Sequence, residues 1–313
     1  MKVGSKGRSL IAVAAFPIVL GGAVAVAIAL IHRGIDPRIA VLATQLPAFF
    51  VVISLERLAP HFVHWNQNQG DLAVDLGHIV TITLVSGIAD PVLRIAGISG
   101  AAWLFGDGGL GLWPSAWPLA FQLALALVIG ELGQYWVHRL EHERDWLWRF
   151  HALHHSAPRL YWLNAARFHP IDILMMNFVA TVPLAALGAS IEVLSLWLLV
   201  SAVHGVFQHA NIPIRLGPLN WIFSMAELHR WHHSKTLREA NSNYGQNLIV
   251  WDVVFGTRFL PKDRKPPADI GLADLPAYPM GWLDQQLSPF RWGRIKRESR
   301  TPVDSHDAVE NVV

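Results

Sequence analysis

The chain has no cysteine among its 313 residues. That one absence removes disulfides, thiolate metal sites, iron–sulfur ligation and thiol nucleophiles together. It also removes the usual residue evidence for an oxidising or reducing compartment. Charge is nearly as sparse: 15% of the residues are Asp, Glu, Lys or Arg, where a soluble domain carries about 25%. The net charge is +2, and the basic residues sit at ends and loops rather than along one face, so nucleic acid is not expected as a partner. No internal repeat or low-complexity stretch is present.

What the chain does have is apolar sequence and imidazole. Hydrophobic residues make up 52% of it, and the mean hydropathy is +0.33. A helix needs about 20 apolar residues to cross a bilayer. The runs at residues 11–31, 39–58 and 117–137 satisfy this, with a weaker one at 72–98. The run at 171–207 is too long for one upright helix and holds Pro183 and Gly188 near its middle, which predicts a hairpin of two spans. Lys2, Lys6 and Arg8 precede the first run as they would in a secretory leader. Its apolar core is too long for a leader and no small-residue cleavage site follows, so it is expected to stay as an anchor. The fold class predicted is an all-α integral membrane protein of about four to six transmembrane helices.

Placing Lys2, Lys6 and Arg8 in the cytosol puts the loop at 98–115, which has no Lys or Arg, on the far side. Arg139, Arg144, Arg149, Arg159, Arg167, Arg230, Lys235 and Arg238 then fall together on the cytosolic side, while Arg33 and Arg38 oppose this mildly. From residue 261 to 313 the chain is Pro-rich and charged, which predicts a soluble cytosolic tail of little regular structure. Trp113, Trp117, Trp146 and Trp148 read as interfacial belt residues.

Three histidine clusters lie at the cytosolic ends of predicted spans: HRLEH (His138, His142), HALHH (His151, His154, His155) and HRWHH (His229, His232, His233). Positions i, i+3 and i+4 share a helix face, so each HxxHH is expected to aim three imidazoles at one point and HxxxH two. A lone histidine near a membrane surface is usually a packing residue. This many together without metal would leave polar nitrogens unpaired. Neutral imidazole suits zinc, copper, iron and nickel, and eight ligands exceed one ion, so two ions with a histidine-lined helical cap are predicted. Glu131 shares a stripe with Tyr135, His138 and His142 inside a span, where a carboxylate is costly and faces protein interior or a cavity. It is expected either to accept the second N–H of a ligand histidine or to make a polar contact between helices. Gln134 falls about 60° off that stripe.

The boxes, with ARFHP after the second, NSNYG after the third and WDVVFGT at the end, resemble the fatty acid hydroxylase and sterol desaturase superfamily of membrane histidine-box, non-haem di-iron enzymes. The match covers about residues 117–260. The resemblance implies N-terminal anchor helices over 1–116, a catalytic domain over 117–260 and a tail over 261–313. It implies the eight box histidines as iron ligands, with His209 of FQHANIP as a further one. His169, before Pro170, is a ligand or a helix cap. His204 lies five residues from His209, about 140° around a helix, and is left to packing or to a place behind the ligands. The activity implied is hydroxylation or desaturation of a lipid C–H bond, in a sterol, fatty acyl chain or related molecule, using O2, two irons and two electrons. No flavin or nucleotide fingerprint and no HPGG haem motif is present, so a separate ferredoxin or cytochrome b5 type donor is expected, docking on the basic segments around Arg139–Arg149 and Arg230–Arg238. The location implied is a bacterial inner membrane or the endoplasmic reticulum. Two other readings are a zinc-dependent membrane hydrolase, which needs a general-base carboxylate as in HExxH, and a metal- or haem-binding transport protein, which places ligands near the midplane.

Overall fold

The computed structural model describes residues 4–105 and 110–300. Lys2, part of the loop at 98–115 and the end of the tail lie outside the described residues. Helices follow in the order α1 (Ser5–His32), α2 (Pro37–Leu58), α3 (Leu72–Phe105), α4 (Leu119–Glu143), α5 (Asp145–His155), α6 (Pro170–Leu187), α7 (Ile191–His209), α8 (Ala226–His232), α9 (Leu237–Ala240), α10 (Val250–Phe255), α11 (Trp282–Leu287) and α12 (Trp292–Arg300). Six of them, α1, α2, α3, α4, α6 and α7, are long and apolar enough to span a membrane. The protein is a multi-pass, all-α membrane protein.

The run at 171–207 folds as the expected hairpin. Gly188 adopts φ 99°, a left-handed cap that stops α6, and glycine is the residue that reaches this conformation without a Cβ penalty. Close helix contact is set by Gly133 of α4: a Cβ there would stand 2.6 Å from the Val179 carbonyl of α6, so the small residue lets two spans meet backbone to backbone. The shared core draws Phe16, Val52, Leu123, Trp197, Val203 and Phe207 from α1, α2, α4 and α7. On α3, Leu72, Leu76, Val80, Leu84 and Ile88 repeat every four residues and are all exposed, which makes one lipid-facing stripe.

Helix α4 runs past its apolar stretch to Glu143, so the first histidine box is the last turns of a span. The two HxxHH boxes lie on α5 and on α8 with the residue just after it, beside the end of α7. Buried ion pairs tie the start of α3 to the loop after α5, Asp71 to Arg159 and Asp75 to Arg167, each at 2.6 Å.

The tail differs from expectation. Leu275, Tyr278, Trp292 and Ile295 pack onto Ala152 and Leu153 of α5, the Trp292 indole donates to Asp145 at 3.0 Å, and Gln285 Oε1 meets His78 Nε2 at 2.9 Å. Four scattered apolar residues are too few to read as an element in a Pro-rich sequence, yet enough to fold the segment back over the helix that carries the second box.

Candidate metal centre

The structure brings nine histidines into two adjoining groups. One group is His138, His142, His151, His155 and His232; the other is His154, His209, His229 and His233, and within each the ligand nitrogens lie within 4.8 Å of one another. The HxxxH box serves one group, as expected, but neither HxxHH box serves a single point. Residues i and i+4 differ by about 40° around a helix, but i+3 and i+4 differ by about 100°, so each HxxHH box straddles the two groups. His151 and His155 face the first group while His154 faces the second; on α8 the assignment reverses, with His229 and His233 in the second and His232 in the first.

Nitrogens converge inside both groups. His138 Nε2 and His151 Nε2 are 3.0 Å apart, and His155 Nε2 and His232 Nε2 3.1 Å. His229 Nε2 lies 2.9 Å from Nε2 of both His209 and His233. Nitrogens held at right angles by one ion, with bonds of about 2.1 Å, stand about 3.0 Å apart. His142 Nε2 is buried without a partner, as a lone pair kept for an ion would be. Burial, reinforced by neighbouring imidazoles, holds His151, His154, His155, His229, His232 and His233 well below the ordinary value of 6.5. Those rings are neutral at neutral pH, the state that binds metal. The donor set fits two ions of a metal that accepts imidazole.

Outer hydrogen bonds fix the opposite nitrogens. His138 Nδ1 meets the Tyr244 carbonyl at 2.6 Å and His232 Nδ1 the Ser242 carbonyl at 2.7 Å. His154 Nδ1 meets the Arg167 carbonyl at 3.2 Å, His209 Nδ1 meets Asn164 Oδ1 at 3.0 Å and His142 Nδ1 meets Asn241 Oδ1 at 3.2 Å. His151 Nδ1 has a carboxylate, Asp172 Oδ2 at 2.9 Å, with Glu141 Oε2 at 3.4 Å behind it. Such acceptors hold the Nδ1–H tautomer and turn Nε2 toward the metal. Asp172, Asn164 and Asn241 were not found from the sequence. The only signal for Asp172 is its place three residues after His169, on the next helix.

NSNYG now has a physical meaning. Asn243 takes φ 55° and is locked by its Nδ2 donating to the Leu228 and Phe259 carbonyls, which aims the carbonyls on either side of it, Ser242 and Tyr244, at His232 and His138. Asp252 of WDVVFGT accepts from the Tyr244 and Gly245 N–H groups at 2.8 Å each.

Several expected residues fall elsewhere. Glu131 does not reach a ligand histidine: its carboxylate accepts from the Gln246 and Asn247 N–H groups at 3.1 and 2.7 Å and from the Asn247 side chain. It is fully buried and acts two steps out, holding the loop whose Tyr244 carbonyl orients His138. His169 lies outside both groups; it caps α6, Nδ1 accepting from the Ile171 N–H at 3.1 Å, while Nε2 meets the Gln286 carbonyl. His204 is packed edge-on against Phe16, centroids 5.3 Å apart. Trp148, expected in the interfacial belt, packs against the site: its ring lies 5.0 and 5.3 Å from those of His142 and His155. Arg230 is buried, donating to the Ala210 and Ile212 carbonyls, so it offers no docking charge.

Fold and site together define a class, a helical membrane protein whose spans end in a histidine cluster able to hold metal. The fatty acid hydroxylase profile matches residues 123–257. The chain is 42% identical over 260 residues to the ornithine lipid hydroxylase OlsE of Rhizobium tropici, covering 80% of this chain and 76% of that protein. It is 26% identical over 219 residues to alkylglycerol monooxygenase of Xenopus tropicalis, covering 69% of this chain and 47% of that protein. It is 28% identical over 147 residues to methylsterol monooxygenase 2-2 of Arabidopsis thaliana, covering 46% and 54%. The chain spans about half the length of these last two. No solved structure matches it. The chain belongs to the fatty acid hydroxylase family, and it is an oxidoreductase of the fatty acid hydroxylase and sterol desaturase type. That membership sets aside the hydrolase and transport readings.

Proposed function

We propose that this protein hydroxylates or desaturates a C–H bond of a membrane lipid with dioxygen, at two non-haem iron ions held by the two histidine groups. The observation that carries the reading is the division of nine histidines into groups of five and four whose rings touch. The relatives named for hydroxylation of ornithine lipid and oxidation of alkylglycerol and methylsterol supply the lipid substrate.

His138, His142, His151, His155 and His232 hold one ion, and His154, His209, His229 and His233 the other. The pair, when bound, supplies the activation of dioxygen needed to break an unreactive C–H bond. The chain's own residues do the rest. Asp172 keeps the proton on His151 Nδ1, and the Tyr244 and Ser242 carbonyls do the same for His138 and His232. Phe168, stacked on His154 with centroids 4.3 Å apart, keeps water from that ring on the side toward the spans. His142 is the one partly exposed histidine of the nine, so the face with His142, Trp148 and the exposed Arg144 and Arg238 is the side for a separate one-electron donor. That face looks into the cytosol and the substrate enters from the bilayer.

The test compares lipids of cells expressing the protein with cells expressing His155→Ala, under labelled dioxygen. A lipid carrying the label, or one lacking two hydrogens, is expected only with the unaltered chain. Identical lipid profiles with iron and oxygen in supply overturn the reading.

A further inference from the structure

The tail that folds back over the second box has two unlike sides. From Trp282 to Arg300 it runs as α11, a turn at Ser288–Arg291 and α12. Gln285, Ser288, Pro289, Trp292 and Ile295 are buried against the protein, close to the spacing of one helix face. The outer side changes character along its length. Toward α11 it is apolar, with Leu283 57% and Phe290 70% exposed. Toward α12 it is basic, with Arg291, Arg294, Arg297 and Arg300 all exposed.

Position decides what each end meets. The Trp282 indole donates to Thr81 Oγ1 at 3.1 Å, and a Cβ at Gly77 would stand 2.7 Å from its ring, so α11 lies against the first turns of α3. Gly77 and Thr81 each follow, by one residue, Leu76 and Val80 of the lipid-facing stripe, about 100° away around the helix. Phe290 stands ring to ring with His169, the cap of α6, centroids 6.3 Å apart. The segment therefore crosses from the start of one span to the start of another. A lone exposed leucine needs no account; here the apolar surface continues one that lipid already covers.

The charge suits the same surface. Residues 282–300 hold five basic side chains and two acidic ones. Arg291 pairs with Asp284 at 2.9 Å and Arg294 with Glu298 at 2.7 Å, exposed pairs that contribute little, so a lipid phosphate competes for either guanidinium. Apolar side chains set beside basic ones on an exposed helical face are the pattern of an element lying in a membrane interface.

We propose that residues 282–297 dock on the bilayer leaflet at the histidine end of the spans, with Leu283 and Phe290 among the acyl chains and Arg291 and Arg294 on the phosphates of anionic phospholipids. Trp292 and Ile295 pack on Ala152 and Leu153 of α5, so the docked segment ties the second histidine box to the height of the membrane surface.

The chain has no cysteine, so one introduced thiol carries one label. Leu283→Cys, Phe290→Cys and, in the charged stretch at 262–265, Asp263→Cys are labelled with the fluorophore NBD on the full chain and reconstituted in equal parts of phosphatidylcholine and phosphatidylglycerol. One lipid or the other carries a nitroxide quencher on its acyl chain. Labels at 283 and 290 are expected to be quenched by either nitroxide lipid at least about threefold more than the label at 263. At 290 the phosphatidylglycerol should quench as if enriched about fivefold, the worth of one arginine near an anionic surface. Arg291→Gln/Arg294→Gln should abolish that enrichment and leave quenching by phosphatidylcholine unchanged. Quenching at 283 and 290 no greater than at 263 overturns the docking, whether iodide then finds the labels open to water or a second copy of the chain shields them. Equal quenching by the two lipids, or a preference that survives the double substitution, overturns the anionic contact. The readout needs neither iron nor turnover, so its result is separate from that of the oxygenase reading.

Discussion

His155 and His233 stack face to face, ring centroids 4.4 Å apart and planes 23° apart, although each belongs to a different histidine group. The two groups therefore share a wall made of imidazoles, and neither can lose a ring without disturbing the other. His155→Ala and His233→Ala should each lower bound iron by more than the one ion they serve directly. Metal analysis of both variants checks this. His204→Ala, which removes a packed ring instead of a ligand, should keep its iron.

His169→Ala separates a cap from a ligand. The variant should retain full iron content and lose about 1 kcal/mol of stability, the usual worth of an N-cap side chain. Thermal unfolding alongside metal analysis reads both, and loss of iron would return His169 to the ligand set.

Asp172→Asn keeps the shape beside His151 but weakens the acceptor at Nδ1. A loss of about 10- to 100-fold in iron affinity or turnover is expected. Glu131→Gln should cost less in iron affinity, because Glu131 reaches His138 only through the backbone between Gln246 and Tyr244. A larger loss in Glu131→Gln than in Asp172→Asn would reverse the order of these two residues. Iron titration of both proteins decides.

Acid should unfold the metal-free protein at a predictable place. The buried box histidines have pKa values well below 6.5 in the folded chain and regain about 6.5 when unfolded. Below pH 6.5 the unfolded chain takes up protons that the folded rings refuse, so stability is full above that pH and falls as pH drops further. Melting temperatures from pH 8 to pH 5 should be flat at first and then decline. A melting temperature that rises on acidification contradicts neutral buried rings.

Trp292→Ala should destabilise the folded chain by about 3–5 kcal/mol, the range for removing a buried Trp, and loosen α5, which carries the second histidine box. Phe290→Ala, at a side chain 70% exposed, serves as the neutral control.

Much of this architecture is legible in the residues. Apolar run lengths mark the spans, Gly188 marks the hairpin, and three clusters of imidazole mark the site, because each depends on local composition. The division of each HxxHH box between two groups depends on how α5 and α8 face each other, which no local pattern encodes. The carbonyls of Tyr244 and Ser242 are invisible in sequence because every residue has one; only Asn243 in a left-handed turn selects those two. Glu131 shows the limit of stripe arguments, since it shares a face with His138 but bonds to a loop more than 100 residues away.

Metal content tests the dinuclear centre most directly. Protein expressed with ample iron, purified in its active form and analysed for metal against quantified chain, should hold two irons per chain. One ion or fewer at full occupancy, or zinc in place of iron in active protein, contradicts it.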